Sequence, residues 1–511
     1  MSWQNAPVTD LVIIGGGPGG YEAALVARQL GGDVTLVERR GLGGSAVLTD
    51  VVPSKTLIAA AEAMAKIGAA EELGLRLGDG SRRLAEAVSF DMGRVNARVR
   101  SLARAQSDDI AARLAAEGVR LIAGTGRLDG PHAVVVDSPD GPQRLKADVV
   151  LVATGARPRE LQAARPDGRR IFTWTQIYDL TDVPEHLIVV GSGVTGAEFA
   201  SAYAALGVKV TLVSSRSQVL PGHDPDAAAV IQRVFEASGM TVLSRSRALS
   251  AQVRGEQVVV GLEGGGEVVG SHCLMAVGAI PNTSGIGLEE AGVELTASGH
   301  IRVDRVSRTT AHGVYAAGDC TPVLALASVA AMQGRISMWH ALGDSVSPLD
   351  LRMVSANVFT APEIATVGFT QADLDAGARP AQVVTLPLAG NARAKMQALV
   401  DGFIKIFATP NSGIVIGGVV VAPSASELIH PAVDRGPASA HGRSARRGVH
   451  GLPVAVGLAG RGRPPSAQPV RRAGDHLLAP VRGVEPRSVP PGTGCRATSR
   501  SCPTSGTRRS P

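Results

Sequence analysis

Residues Leu11 to Glu38 read LVIIGGGPGGYEAALVARQLGGDVTLVE. Leu11 to Ile14 predict a buried strand, Gly15-Gly-Gly-Pro-Gly-Gly20 a turn, Tyr21 to Leu30 a helix by apolar spacing, and Val34 to Val37 a second strand ending in Glu38. Gly15, Gly17 and Gly20 stand at G-x-G-x-x-G spacing, which permits a tight turn, close backbone approach to a pyrophosphate and close helix packing. The free N–H groups and positive dipole end of the following helix favour that phosphate. A carboxylate about twenty residues on, here Glu38, can accept from ribose hydroxyls. The stretch therefore predicts an α/β unit that binds a dinucleotide.

The same grammar returns downstream. Leu187 to Val190 leads into Gly191-Ser-Gly193-Val-Thr-Gly196, a helix over Ala197 to Leu206 and a strand over Val208 to Val213. Two fingerprints predict two nucleotides. The second strand runs into Ser214, Ser215 and Arg216, with no acid at the place of Glu38. A carboxylate there would repel a 2′-phosphate, whereas serines and an arginine tolerate or attract it, so NADPH is expected alongside NADH. The alternative is an incidental arginine on a solvated loop.

Composition bounds the rest. With 511 residues, 44% of them hydrophobic, the chain is long enough for about three to four domains. Aromatics are only 3%, so the core must be built from Ala, Val, Leu and Ile. No apolar run approaches the ~18 residues of a membrane span, and Gly413 to Ala422 reads as a buried strand. The start, MSWQNAP, has neither a basic region nor a cleavage site. Cys273, Cys320, Cys495 and Cys502 show no metal-type or CxxC spacing, so no disulfide framework, no metal and a reducing cytoplasmic setting are expected.

Net charge divides unevenly. From Pro431 to Pro511 fourteen arginines face Asp434, Asp475 and Glu485, a formal +11, so the chain's +6 leaves −5 for the rest. A mildly acidic body carries a basic appendage.

Two further stretches punctuate the body. Val152-Ala-Thr-Gly-Ala156 ends a buried strand in a small-residue turn, and Val314-Tyr-Ala-Ala-Gly-Asp319 places a carboxylate at a strand's C-terminal edge before a helical run, Leu324 to Leu342. The order GxGxxG, ATG, GxGxxG, GD resembles the flavoprotein disulfide reductase family, which includes lipoamide dehydrogenase, glutathione reductase and mercuric reductase. Val358 to Gly368, Gly402-Phe-Ile-Lys405 and Ala425-Ser-Glu-Leu-Ile429 resemble that family's dimer-interface domain, and the likeness covers roughly residues 8 to 430. It implies FAD on the first fingerprint, NAD(P)H on the second and a homodimer. Asp319 would bind the FAD ribityl chain or pyrophosphate, and Gly124-Thr-Gly126 resembles a loop near the adenine. Ser45, Thr154, Gly155, Ala327 and Gly278 are implied as further cofactor contacts.

Leu42 to Leu57, LGGSAVLTDVVPSKTL, departs from that pattern. Dithiol-using members read close to GGTCxNxGCIPSK here. Gly43-Gly44-Ser45 and Pro53-Ser54-Lys55 match, but the cysteine positions fall on Ala46 and Val51. Neither side chain forms a thiolate, so the relay, which needs a nucleophilic sulfur and a resolving partner, is absent. Lys55 remains. The resemblance implies an ion pair with Glu198 near the flavin, able to stabilise negative charge on the reduced ring. The expected activity is electron transfer from NAD(P)H through FAD directly to a quinone or other small acceptor, as in the similar cysteine-less actinobacterial quinone reductases. A soluble pyridine-nucleotide transhydrogenase and a non-catalytic flavin-binding redox sensor are the alternatives.

The expected fold is α/β. An FAD-binding domain over 1–158 and 285–350 surrounds an NAD(P)-binding domain over 159–284, both Rossmann-like; 351–430 form a truncated α+β dimer-interface domain, and 431–511 a disordered tail. Ser89 to Leu114 reads as a long helix with Arg94, Arg98 and Arg104 among its apolar positions. His430-Pro431 comes too early for the family's C-terminal catalytic histidine, and Arg435 stands where its glutamate would fall. Three readings of the tail compete: a basic disordered segment attracting nucleic acid or acidic surfaces, a linker to another partner, or the product of a reading-frame change in a GC-rich gene. Twelve prolines after His430 and a break inside a domain favour the last. A tail of that origin puts dimerisation in doubt; neither a nucleic-acid partner nor a membrane span is expected.

Overall fold

The computed structural model describes residues 8–76 and 87–430. The tail over 431–511, with its proposed frame change and the Pro431 and Arg435 positions, lies outside the described residues.

The chain opens with β1 (Asp10–Ile14), α1 (Pro18–Gln29), β2 (Asp33–Glu38), α2 (Gly44–Leu48), α3 (Val51–Ala69), α4 (Met92–Ala116), β3 (Arg120–Ala123), β4 (Thr125–Leu128), β5 (Ala133–Ser138), β6 (Gly141–Lys146) and β7 (Val149–Val152). In β1 and β7 nearly every residue is buried, so they read as continuous apolar runs, as parallel strands covered on both faces do. Helix α1 begins earlier than its apolar spacing implied because Pro18, with no N–H to lose, sits in the first turn. Helix α4 starts at Met92, three residues after Ser89, where the Asp91 side chain accepts from Arg94 N at 2.9 Å. Its buried positions Met92, Asn96, Val99 and Ala103 form one stripe, and Arg94, Arg98 and Arg104 are exposed.

Next come β8 (Ala156–Pro158), β9 (Ile171–Thr173), β10 (His186–Val190), α5 (Val194–Ala205), β11 (Lys209–Val213), α6 (Pro225–Ala237), β12 (Thr241–Leu243), β13 (Ala248–Arg254), β14 (Gln257–Leu262), β15 (Glu267–Gly270), β16 (His272–Met275) and β17 (Ala279–Pro281). They are followed by β18 (Val314–Ala316) and α7 (Ala327–Ala341). Two five-stranded parallel sheets result, ordered β18-β7-β1-β2-β3 and β12-β11-β10-β16-β9. Strand β18 returns to the first sheet beside β7, with Val314 opposite Val150. Helix α7 lies on α1 at glycine contact: a Cβ on Gly334 would stand 2.0 Å from Gly19 O. The short β8–β17 ladder, with the meanders β4-β5-β6 and β13-β14-β15, completes this part.

The last sheet is antiparallel, in the order β19-β20-β23-β22-β21, built from β19 (Ala356–Val358), β20 (Glu363–Gly368), β21 (Gln382–Pro387), β22 (Phe403–Ala408) and β23 (Val415–Ala422). Alternation splits its side chains: Ile364, Phe403, Phe407, Val419 and Val421 join the apolar core around α5 and α6, while Ala365, Ile404, Ile406 and Val420 pack with Ala425 and Ile429. Lys405 is 2% exposed and bonds both oxygens of Asp224, the N-cap of α6, at 2.9 Å, with Asp226 also in contact. Burial alone would lower its pKa; Asp226 and Asp224 outweigh it and raise it. No helix among the described residues is long and apolar enough to cross a membrane, and no His, Cys, Asp and Glu cluster there could hold a metal.

Candidate functional site

The two glycine fingerprints form matching cradles. Gly15 (φ +105°) and Gly191 (φ +111°) turn out of β1 and β10 in the left-handed region that favours glycine. A Cβ on Gly20 would meet Gly15 O at 1.9 Å, and one on Gly196 would meet Gly191 O at 1.8 Å, so each third glycine lets its helix close on its turn. Gly17 and Gly193 are the N-caps of α1 and α5, with no side chain bonding the first-turn amides. Nothing lies within 4 Å of where a Gly193 Cβ would be, and only Gly44 Cα, at 3.9 Å, approaches that of Gly17. Open space above uncapped N–H groups fits a pyrophosphate at each helix start.

Around the first cradle, Glu38 Oε2 accepts from Gly16 N at 2.7 Å, and Oε1 accepts from Arg39 N and Arg40 N at 2.8 and 2.7 Å. Glu38 therefore braces the loop itself. A carboxylate has about four acceptor positions, so one is left for a ribose hydroxyl. Gly126 lies in β4, not a loop, and a Cβ there would press on Ile14 at 3.1 Å. Thr154 Oγ1 donates to Asn282 O at 2.8 Å, Asn282 Nδ2 donates back to Thr154 O at 3.0 Å, and Asn282 N to Gly155 O at 2.9 Å. The ATG turn is thus clamped to the end of β17, through an asparagine the sequence did not single out. Asp319 is partly buried after β18, and burial raises its carboxyl pKa against a smaller opposing effect of His300. Ala327 opens α7, whose N-cap Leu326 offers no side-chain bond.

Around the second cradle, Ser214 is buried and bonds Ser192 Oγ at 2.6 Å, a support inside the turn. Ser215 and Arg216 are exposed, and Arg216 O accepts from Arg245 N at 2.8 Å, so a second arginine adjoins them. Gly278 takes φ +95° with open space where a side chain would stand.

The two halves meet at Lys55. Its Nζ lies 2.8 Å from Glu198 Oε2 and 4.8 Å from the centroid of the Phe359 ring. Glu198, on α5, is 5% exposed, and its Oε1 accepts from Phe359 N at 2.9 Å. Ala361 N donates to Ser201 Oγ at 3.0 Å, fixing the same segment one turn further along α5. Three parts of the chain therefore hold one ammonium. Ser45, in the first turn of α2, is exposed, and its carbonyl accepts from Thr49 N and Asp50 N at 3.0 and 2.8 Å. A Cβ on Gly44 would stand 2.8 Å from Gly17 Cα, so this segment lies directly on the first cradle.

Asp50, Tyr178 and Phe359 complete the junction, and none was singled out from the sequence. Burial pushes the Asp50 carboxyl up to about 6, opposed by Lys55 and supported by Glu198 and Asp319. Tyr178 Oη and Tyr203 Oη are buried without hydrogen-bond partners. Burial, then Asp50, raises the Tyr178 pKa; Ser54 opposes this, but no well-formed hydrogen bond joins them. The fully buried Cys273 and Cys320 are free thiols that burial raises to about 12 and about 11, so neither is a thiolate at neutral pH.

Residues 9–334 match the model of the pyridine nucleotide-disulphide oxidoreductase family, and 354–434 that of its dimerisation domain. The chain is 52% identical over 434 residues, 83% of its length and 87% of the relative's, to an NAD(P)H dehydrogenase (quinone) of Mycobacterium tuberculosis strain H37Rv. It is 33% identical over 426 residues to a dihydrolipoyl dehydrogenase of Zymomonas mobilis, covering 82% of this chain and 90% of that one. The crystal structure of LpdA from Mycobacterium tuberculosis superposes with a TM-score of 0.83 at 49% identity, over 89% of this chain and 99% of that one. The chain belongs to the pyridine nucleotide-disulphide oxidoreductase family and is a flavoprotein oxidoreductase that uses FAD and NAD(P)H.

Proposed function

We propose that the chain is an NAD(P)H quinone reductase that works without a redox disulfide and so has no lipoamide dehydrogenase activity. One observation carries the reading: Ala46 and Val51 stand where the family pattern has its sulfurs, while the Lys55–Glu198 pair is kept at 2.8 Å. Cys273 and Cys320, buried and protonated, offer no replacement. The quinone-reducing name of the Mycobacterium tuberculosis relative supports it.

Bound FAD would supply the two-electron exchange between nicotinamide and acceptor. In this reading Gly15, Gly17 and Gly20 admit its pyrophosphate to the start of α1, Glu38 takes a ribose hydroxyl, and Asp319, Thr154, Gly155, Ser45, Gly126 and Ala327 line the rest of its site. Gly191, Gly193, Gly196 and Gly278 admit the nicotinamide nucleotide, with Ser215 and Arg216 at its 2′ position. Lys55, fixed by Glu198 and Phe359, places positive charge where negative charge develops. The dimerisation-domain match supports a homodimer, and the unpaired Cys273 and Cys320 support the cytoplasm.

The test is turnover of the FAD-loaded chain with NADH and NADPH against benzoquinone, naphthoquinone and lipoamide, with NADH-to-NADP hydride exchange in parallel. Quinone reduction without lipoamide reduction is expected, and Arg216→Ala should raise the KM for NADPH roughly tenfold with little change for NADH. Strong exchange with negligible quinone turnover would overturn the reading in favour of a transhydrogenase. Bound flavin that NADPH leaves unbleached would mark a non-catalytic binder.

A further inference from the structure

The family pattern GGTCxNxGCIPSK has a glycine just before its second sulfur; this chain has Asp50 there. Asp50 is the N-cap of α3, and its backbone is pinned on both sides: its N–H donates to Ser45 O at 2.8 Å, and its carbonyl accepts from Ser54 N at 2.7 Å. An aspartate at an N-cap ordinarily spends its carboxylate on the first-turn amides. This one does not, and no described residue hydrogen-bonds it. Its main chain is fixed, and its carboxylate is not spent on capping.

Three charges act on it: Lys55 from its own helix, Glu198 from α5 and Asp319 from the turn after β18. Tyr178, in the turn Ile177–Asp179, brings a hydroxyl that is buried, unpartnered and affected by Asp50 more than by any other charge.

We propose that Asp50 is the acid that gives the second proton to the reduced quinone, an assignment that rests on the quinone-reductase reading above. The balance is NAD(P)H + quinone + H⁺ → NAD(P)⁺ + hydroquinone. A hydride equivalent brings two electrons and one proton to the quinone, leaving a hydroquinone anion. The O–H bond of the Asp50 carboxyl breaks, an O–H bond forms on the anion's oxygen, and the carboxylate takes its next proton from solvent. Burial, with Glu198 and Asp319 beside it, holds this carboxyl up at about 6 against the pull of Lys55, so protonated and ionised forms exchange near neutral pH.

The experiment compares wild type, Asp50→Asn and Asp50→Gly, the last being the residue of the family pattern, as FAD-loaded protein. Benzoquinone requires protons, whereas ferricyanide takes single electrons without them. The quinone rate of wild type should fall above about pH 6, and both variants should lose roughly 10²-fold with quinone. They should lose at least tenfold less with ferricyanide. Independently of turnover, infrared titration of the protein should show a protonated-carboxyl C=O stretch that disappears near pH 6 in wild type and is missing from both variants. Wild type that reduces quinone while the variants keep its rate and pH profile, or the absence of that carboxyl band, overturns the assignment of Asp50 alone. Wild type that reduces no quinone overturns the functional reading and the assignment together.

Discussion

Replacing Lys55 by Met tests the junction on which both nucleotide sites converge. At 2.8 Å and an effective dielectric of about 20, the gross attraction between Lys55 and Glu198 is about 6 kcal/mol. Most of this is offset by taking Glu198, 5% exposed, out of water, while Lys55, 28% exposed, keeps part of its hydration. Loss of the ammonium leaves a buried carboxylate with Phe359 N–H as its remaining hydrogen-bond donor. The expected cost is about 2–3 kcal/mol, below the range for a wholly buried pair. Glu198→Gln keeps an acceptor for Phe359 N–H and frees Lys55 to turn to water, and should cost about 1–2 kcal/mol. The double variant has no unpaired buried charge, so the two losses should not add. A double-mutant cycle on the urea unfolding of FAD-loaded protein should give a coupling of about 1–2 kcal/mol. A coupling under about 0.5 kcal/mol would refute the view that these two side chains hold the domains as a unit.

Lys405→Met should be more damaging, by about 3–5 kcal/mol in the same assay, because Asp224 would remain 2% exposed without its ammonium; Asp224→Asn added to it should recover part of the loss. Gly20→Ala and Gly196→Ala put a methyl within 1.9 and 1.8 Å of a carbonyl oxygen, so the first should fail to retain flavin on gel filtration and the second should lose NADPH binding while retaining flavin. Asp50 also predicts a pH effect on stability. Its folded pKa of about 6 stands above the ordinary 3.8, so the folded chain binds the extra proton between those values. The penalty for ionising it is absent below about pH 4 and complete above about pH 6, where it approaches 2–3 kcal/mol. Asp50→Asn should therefore gain on wild type as pH rises from 4 to 7; a constant difference across that range would contradict the burial argument.

The α/β fold and the two cradles were legible because their determinants are local. Gly20 is fixed by the Gly15 carbonyl five residues before it and Gly15 by its left-handed φ, and the four apolar residues of β1 require cover on both faces whatever supplies it. The absent sulfurs at 46 and 51 were legible as well, since no folding turns Ala or Val into a thiolate. Glu38 and Gly126 show where such reading falls short: the carboxylate is largely occupied by its own loop, and the glycine lies in a strand.

Asp50 shows the limit most clearly. In the sequence it is one acid after a threonine, and nothing within several residues except Lys55 could change its proton affinity. Its surroundings arise because Glu198 lies 143 positions from Lys55, Phe359 another 161 from Glu198, and Asp319 at the edge of a strand that returns to the first sheet. Spacing along the chain determined which backbone turns can hold a phosphate. Only tertiary packing decided which carboxyl is held above its ordinary pKa, because desolvation and the charges that oppose it depend on residues that meet in space and not in sequence.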